Sequence, residues 1–374
     1  MSKLSELSAA GTAVWLDFVD RKFLEAGGLQ KLVDEDGLTG VTSNPSIFEK
    51  AMGYGDAYDG TLAAYDREHA EAATIDRYEH LAIQDIKAAA DTLRPVYDRL
   101  DAKDGYVSLE VSPYIADDTD ATIAEAKKLW DAVGKSNVMI KIPGTLAGGP
   151  AIAATIAGGI NVNVTLLFSQ EAYQRVAEAH AMGLEERVRQ AQPIDRVASV
   201  ASFFVSRIDA TIDKEIDRRV KEGDSQSETL KSLRGKVAVA NAKLAYAWYQ
   251  QFIASDRWQA LAVKGAQPQR LLWASTGVKD PAYPDTLYID QLIGPDTVNT
   301  MPPKTMDAFR DHGVVAQTLT ADVDAARKVL ADVERLGLDL GGVTGRLVEE
   351  GVASFAGAFD DLLGAIAKKQ PATA

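Results

Sequence analysis

Lys141 stands in the middle of an otherwise apolar stretch, Val138-Met-Ile-Lys-Ile-Pro-Gly-Thr145. Lysine is rarely fully buried unless it is paired or at work. Alternation along a strand puts Val138, Ile140 and Ile142 on one face and Met139, Lys141 and Pro143 on the other. Burial and a neighbouring cation favour the uncharged amine, the form that attacks a carbonyl. Taken alone, the segment serves a strand-end lysine that snorkels to water equally well, so the other polar strands must decide. Asp17 shares one face of 14–19 with Trp15 and Val19, and Glu110 shares one face of 106–111 with Tyr106 and Ser108. Asn161, Asn163 and Thr165 alternate with Val162, Val164 and Leu166, while Ser202 falls within 197–205 and Asn44 within 40–48. Two carboxylates, a lysine, amides and hydroxyls suit Schiff-base carbon–carbon chemistry. The iminium accepts electrons, a carboxylate takes a hydroxyl proton as the neighbouring bond breaks, and amides hold substrate hydroxyls.

These residues need a scaffold that gathers them onto one surface. The sequence predicts strands over 14–19, 106–111, 138–143, 160–168, 197–205, 270–276 and 297–301. An eighth, at 40–48, runs into a turn at Asn44-Pro45. Helical periodicity fills the intervals, with a short lead-in over 1–12, a helix over 21–34, two helices within 57–100 and one long helix over 226–254. Further helices cover 119–133, about 150–157, closed by Gly158-Gly159, and 170–190, and one begins near Ser206-Arg207. Strands alternating with helices predict an α/β fold, a parallel (β/α)8 TIM barrel with additional helices. A doubly wound open sheet fits the alternation too. Strands apolar on one face and polar on the other favour the barrel, with the polar face inward near the C-terminal strand ends. The whole of 1–374 reads as a single barrel domain. Two amphipathic helices, about 321–368, pack on it, with Val348, Val352, Phe355, Phe359, Leu362 and Ile366 at core spacing. The tail from Lys368 to Ala374 reads as frayed.

Composition bounds the function. The chain has 374 residues, 46% hydrophobic and 25% charged, enough for a large core. A formal net charge of −14 argues against nucleic acid as a partner. With no cysteine there is no disulfide, thiol catalysis or Cys-zinc site, which fits a cytoplasmic protein. No apolar run approaches membrane-spanning length, so no membrane partner is expected. The apolar run at the N-terminus contains Asp17, against a signal peptide.

Four segments together resemble the transaldolases. They are Gly-Val-Thr-Ser-Asn-Pro-Ser-Ile-Phe at 40–48, Val-Met-Ile-Lys-Ile-Pro at 138–143, Ile-Asn-Val-Asn-Val-Thr-Leu-Leu-Phe-Ser at 160–169 and Ser-Phe-Phe-Val-Ser-Arg at 202–207. They keep family order over most of the chain. The resemblance implies transfer of a dihydroxyacetone unit between sugar phosphates, as in the pentose phosphate pathway, without cofactor or metal. It implies a Schiff base on Lys141, acid–base work by Asp17, and a proton-shuttling water held by Glu110 and Thr165. Asn44, Asn163 and Ser202 would bind the dihydroxyacetone unit, Arg207 and Ser275 the distal phosphate, and Phe204 the wall beside the lysine. Fructose-6-phosphate aldolases of the same superfamily typically carry glutamine and tyrosine where this chain has Glu110 and Phe204, so transfer is expected over release of free dihydroxyacetone. Two departures stand out: Gly149-Pro150 stands where the lysine signature is expected to carry an apolar residue, and Gly277 replaces an arginine common in the family two residues after Ser275. Lys279 on the same loop is the expected second phosphate cation, with Lys304 next in line. Monomer and homodimer are both open.

Other features read as structural. His69, His80, His180 and His312 show no metal-ligand spacing and read as surface or cap histidines. Asp117-Asp118-Thr-Asp120 reads as an N-cap cluster, and Gly144–Gly149 as a loop without a P-loop lysine.

Overall fold

The computed structural model describes residues 2–369. Eight parallel strands close into a barrel in sequence order: β1 (Thr12–Leu16), β2 (Gly40–Val41), β3 (Tyr106–Glu110), β4 (Val138–Pro143), β5 (Val162–Leu167), β6 (Ser199–Phe204), β7 (Arg270–Ala274) and β8 (Thr297–Met301). The α/β TIM barrel is therefore the observed architecture, with β1 pairing β8 from Thr12↔Thr297 to Leu16↔Met301. Trp15 seals the floor: its indole donates to Asp104 Oδ1 (2.9 Å), whose other oxygen accepts from Arg270 (3.1 Å). Gly40 is needed beside it, because a Cβ there would lie 2.3 Å from the Trp15 ring.

Several boundaries differ from the sequence reading. β1 starts two residues early and ends at Leu16, because Gly11 (φ +100°) turns the chain tightly against Pro295. Asn44-Pro45 is a helix start rather than a turn. Asn44 Oδ1 accepts from Ile47 N (3.0 Å), with Pro45 in the first turn of helix Pro45–Gly53. The span 21–34 is two helices, Arg21–Glu25 and Gly28–Asp36, parted at Gly27 (φ +73°). The long helix over 226–254 is also two, Ser227–Leu233 and Val237–Ile253, parted at Gly235 (φ +69°). Asp213 accepts from Gly235 N (3.2 Å) and Asp209 from Ala238 N (2.7 Å), so buried carboxylates hold the second start. Asp118 caps helix Thr119–Val133 as expected. The chain does not fray at Lys369, whose ammonium binds Gly55 O and Asp59, both at 2.7 Å. The rest of the tail, 370–374, lies outside the described residues.

His180 also departs from expectation. It is fully buried in helix Gln170–Arg189, stacked on Trp258 at 5.8 Å, with neither ring nitrogen hydrogen-bonded. Spacing alone cannot separate a buried histidine from an exposed one on an amphipathic helix. Burial pushes its pKa down to about 3. The unfolded chain therefore takes up a proton below about 6.5 that the folded chain refuses, and stability falls as pH drops through that window. His180→Phe keeps the stack and removes two orphaned polar atoms, each worth about 1–3 kcal/mol. It should raise the unfolding midpoint, and raise it more at pH 5 than at pH 7.5, in thermal melts followed by circular dichroism.

Candidate active site

The C-terminal ends of the strands open into a cavity of about 350 Å³, within the range of small-molecule sites. Asp17, Asn44, Lys141, Thr165, Ser202 and Phe204 line it, joined by half-buried Arg207 and Ser275 and by exposed Lys279. Glu110 and Asn163 stand one layer behind. Lys141 is 5% exposed, and its ammonium donates to Glu110 Oε2 (3.0 Å) and Ser43 O (2.8 Å). The β3–β4 register sets this contact by pairing Glu110 with Lys141 directly. Burial pushes the Glu110 carboxyl upward in pKa, with Lys141 pulling the other way.

Asp17 directly follows β1, and its amide continues the ladder to Met301 O (2.8 Å). Its carboxylate accepts from Thr42 Oγ1 (2.7 Å). Because Thr42 spends its proton on Asp17, the Thr300 hydroxyl 2.7 Å away must donate to Thr42. Burial raises the Asp17 pKa, against the Thr42 hydrogen bond and the Lys141 charge. The two carboxylates thus flank one ammonium, each shifted toward the range of acid–base work.

On the opposite wall, Asn163 donates to Ser108 Oγ (3.0 Å) and accepts from Ser202 Oγ (2.7 Å). Asn163 is fully buried and holds Ser202 from behind. The Thr165 hydroxyl is buried without a hydrogen-bond partner, an unmet polar group facing the cavity. Asn44 spends its oxygen on the helix cap, which leaves its amide N–H groups for a ligand. Phe204 packs on Phe168 at 5.1 Å, and Arg207 lies 5.3 Å over its ring. Ser275 adopts a left-handed backbone (φ +55°) and sits 3.0 Å from Ser206 Oγ.

Alternation fails once. β5 shifts register between Val164 and Leu167, where Leu166 turns left-handed (φ +60°). Such bulges occur beside sites and re-aim side chains. Leu166 therefore leaves the outward row and meets the C-terminal helix Leu340–Lys368, where Gly351 makes room: a Cβ there would come within 2.7 Å. That helix also packs on helix Pro45–Gly53 and brings Ser354 and Phe355 into the cavity. The Phe355 ring centre lies 5.9 Å from Lys141 Nζ. Sequence reasoning took Phe355 for core alone and missed Ser354, Thr42 and Thr300. It missed Lys50 as well, which lines the cavity from helix Pro45–Gly53, whereas Lys304 does not line it. Among the described residues no three His, Asp or Glu side chains converge as metal ligands.

Known proteins are similar to this chain in sequence. A family model described as Transaldolase/Fructose-6-phosphate aldolase matches residues 14–366. A protein of Thermobifida fusca named transaldolase is 48% identical over 369 residues, covering 98% of each chain. Transaldolases of Trichodesmium erythraeum (44%, covering 98% of this chain and 97% of its own) and Mycobacterium tuberculosis (46%, covering 96% and 95%) are similar over nearly the same length. A closed barrel with a buried lysine between two carboxylates and near full-length identity to such proteins agree: the chain belongs to the transaldolase/fructose-6-phosphate aldolase family.

Proposed function

We propose that this chain is a transaldolase of the pentose phosphate pathway. It moves a dihydroxyacetone unit from sedoheptulose 7-phosphate or fructose 6-phosphate to erythrose 4-phosphate or glyceraldehyde 3-phosphate. The observation that carries the reading is the buried Lys141 ammonium, 3.0 Å from Glu110 and electrostatically coupled to Asp17. The single-domain reading of 1–374 rests on the C-terminal helix covering the barrel mouth and lining the same cavity. No helix among the described residues is long and apolar enough to cross a membrane, which is in keeping with a cytoplasmic enzyme.

Lys141 passes a proton to Glu110, whose raised proton affinity suits it to receive one, and the amine attacks the donor's C2 carbonyl. Loss of water gives the iminium, with the water handled between Glu110 and the unpartnered Thr165 hydroxyl. Asp17 takes the C4 hydroxyl proton and the C3–C4 bond breaks. Its electron pair flows to the iminium, leaving an enamine while the shortened aldose departs. The enamine carbon then attacks the acceptor aldehyde, and Asp17 returns the proton to the new C4 oxygen. Hydrolysis releases product. Asn44 and Ser202, the latter held by Asn163, bind the hydroxyls of the retained unit. Phe204 and Phe355 keep the enamine dry.

Borohydride reduction in the presence of fructose 6-phosphate tests this reading. A reduced three-carbon adduct should be found on Lys141 by intact mass and peptide mapping. Trapping on another lysine, or none in active enzyme, rejects it. Product analysis without an acceptor separates transfer from release of dihydroxyacetone.

The phosphate end has a cation problem. A side chain at Gly277 would meet Thr305 Oγ1 at 3.2 Å, and Arg207 is the cation left on that wall. Lys279 faces the same cavity from the loop after β7, where barrels commonly bind phosphate. Lys279→Ala should raise KM for fructose 6-phosphate about tenfold or more, the scale of a lost charge-assisted contact. A nonphosphorylated ketose should react as before. An unchanged KM removes Lys279 from the site and turns attention to Lys50.

A further inference from the structure

The aldose end of the substrate still lacks a polar partner between its reacting carbon and its phosphate, and the order of the strands says where one must stand. On the transaldolase reading, on which this inference rests, the C4 hydroxyl meets Asp17 after β1, and the phosphate meets Arg207 and Ser275 after β6 and β7. The closed barrel places β8 between β7 and β1. The carbons that join those two points therefore cross the C-terminal end of β8. On that wall Ala274, Thr300 and Pro302 line the cavity, and of these three only Thr300 has a polar side chain.

The Thr300 side chain points into the barrel. β1 and β8 pair Trp15 with Thr300, partners in a parallel pair share a face, and Trp15 fills the floor. Thr300 is 3% exposed. A hydroxyl has one proton to give and two lone pairs to receive with. The Asp17 carboxylate takes the Thr42 proton at 2.7 Å, so the Thr300 proton goes to Thr42, also at 2.7 Å. No other group among the described residues bonds the Thr300 hydroxyl. What it has left to offer the cavity is a lone pair. Turning it into a donor toward the cavity would take its proton away from Thr42. A ligand group that meets Thr300 must therefore bring its own proton: a sugar hydroxyl fits, whereas a carbonyl or a phosphate dianion does not.

We propose that Thr300 is a specificity-determining residue that accepts a hydrogen bond from the C2 hydroxyl of the acceptor aldose phosphate, the group that becomes the C5 hydroxyl of the product ketose. Substrate hydroxyl, Thr300, Thr42 and Asp17 then form one line in which each donates to the next, and such lines polarise one another. An acceptor without that hydroxyl forfeits the contact and leaves a buried oxygen half-used.

The test compares erythrose 4-phosphate with 2-deoxyerythrose 4-phosphate as acceptors, with fructose 6-phosphate as donor, in kcat/KM. The quantity read is the ratio of the two acceptors in wild type divided by the same ratio in a variant. The lower intrinsic reactivity of the deoxy aldehyde cancels in it, and so does any slowing of both acceptors through Thr42 and Asp17. Thr300→Val, which keeps the shape and removes the hydroxyl, should lower the preference for erythrose 4-phosphate about tenfold or more, the scale of one hydrogen bond to a buried group. Thr300→Ser keeps the hydroxyl and should keep the wild-type ratio. Thr300→Ala reads the same loss where Thr300→Val fails to fold. A ratio unchanged in Thr300→Val or Thr300→Ala, with activity lowered equally for both acceptors, overturns the proposal and leaves Thr300 as a support for Thr42; the transaldolase reading then stands. No transfer to erythrose 4-phosphate by the wild-type chain overturns both.

Discussion

Lys141→Arg should lose at least about 10³-fold in turnover, on the scale of removing a covalent nucleophile, while its far-ultraviolet circular dichroism stays native. A guanidinium remains protonated at any working pH and is a poor imine former. It still answers Glu110 and the Ser43 carbonyl, which hold the lysine at 3.0 and 2.8 Å. The variant thus separates chemistry from charge pairing. Reduction with borohydride should leave its mass unchanged. Lys141→Met makes the complementary case, because it strands Glu110 in a buried place without its cation. Burial already raises the Glu110 pKa above 4.5, and Lys141 is the chief opposing influence, so its loss raises the pKa further. A carboxyl whose folded pKa is raised stabilises the fold below its unfolded pKa and loses that contribution as pH climbs through the folded value. Lys141→Met should therefore lose stability relative to wild type from about pH 4.5 upward, and Lys141→Arg should not. Near-wild-type turnover in Lys141→Arg would remove the Schiff base from this residue.

The barrel and its lysine were legible because the strands repeat one pattern, apolar outside and polar within, and helices separate them. Period two reports which residues share a face; it cannot report a break in the period. Leu166 shows this: the bulge in β5 turns it toward Gly351, and nothing in Val-Asn-Val-Thr-Leu-Leu announces the left-handed residue. Gly235 was equally silent, since a glycine within helical spacing is ordinarily tolerated. What parts the helices there is Asp209 and Asp213, reaching across from another helix. The residues missed at the site share a cause. Thr42 directly follows β2 and Thr300 lies in β8, near opposite ends of the sequence, and they meet only because β1 stands between β2 and β8. Phe355 and Ser354 keep ordinary core spacing, and only the docking of the last helix over the barrel mouth turns them toward Lys141. Asn163 shows the converse. Its inward place was readable, but whether it meets the cavity or backs Ser202 is a matter of depth, which alternation does not carry.

Asp17→Asn should lower kcat by at least about 10²-fold, the usual scale of a lost general acid–base group, and should change which intermediate accumulates. The substitution is nearly isosteric. Thr42 can still donate to Oδ1, and the amide of residue 17 still bonds Met301 O, so the local frame survives. What is lost is the group that takes the C4 hydroxyl proton. Schiff-base formation, which rests on Lys141, Glu110 and Thr165, precedes that step and should proceed. Borohydride should then trap the intact six-carbon ketose phosphate on Lys141 rather than the three-carbon fragment. The pH profile supplies an independent reading. Cleavage needs the carboxylate, so the rate rises with pH through the Asp17 pKa, which burial lifts above 3.8. That acid limb should be present in wild type and absent from the residual activity of Asp17→Asn. Asp20, the nearby carboxylate, does not stand in for it: Oδ1 of Asp20 caps helix Arg21–Glu25 at Phe23 N (3.0 Å). If Asp17→Asn accumulates the three-carbon adduct at the wild-type rate, Asp17 is a structural anchor for Thr42 and Thr300, and the proton must leave the C4 hydroxyl by way of Glu110.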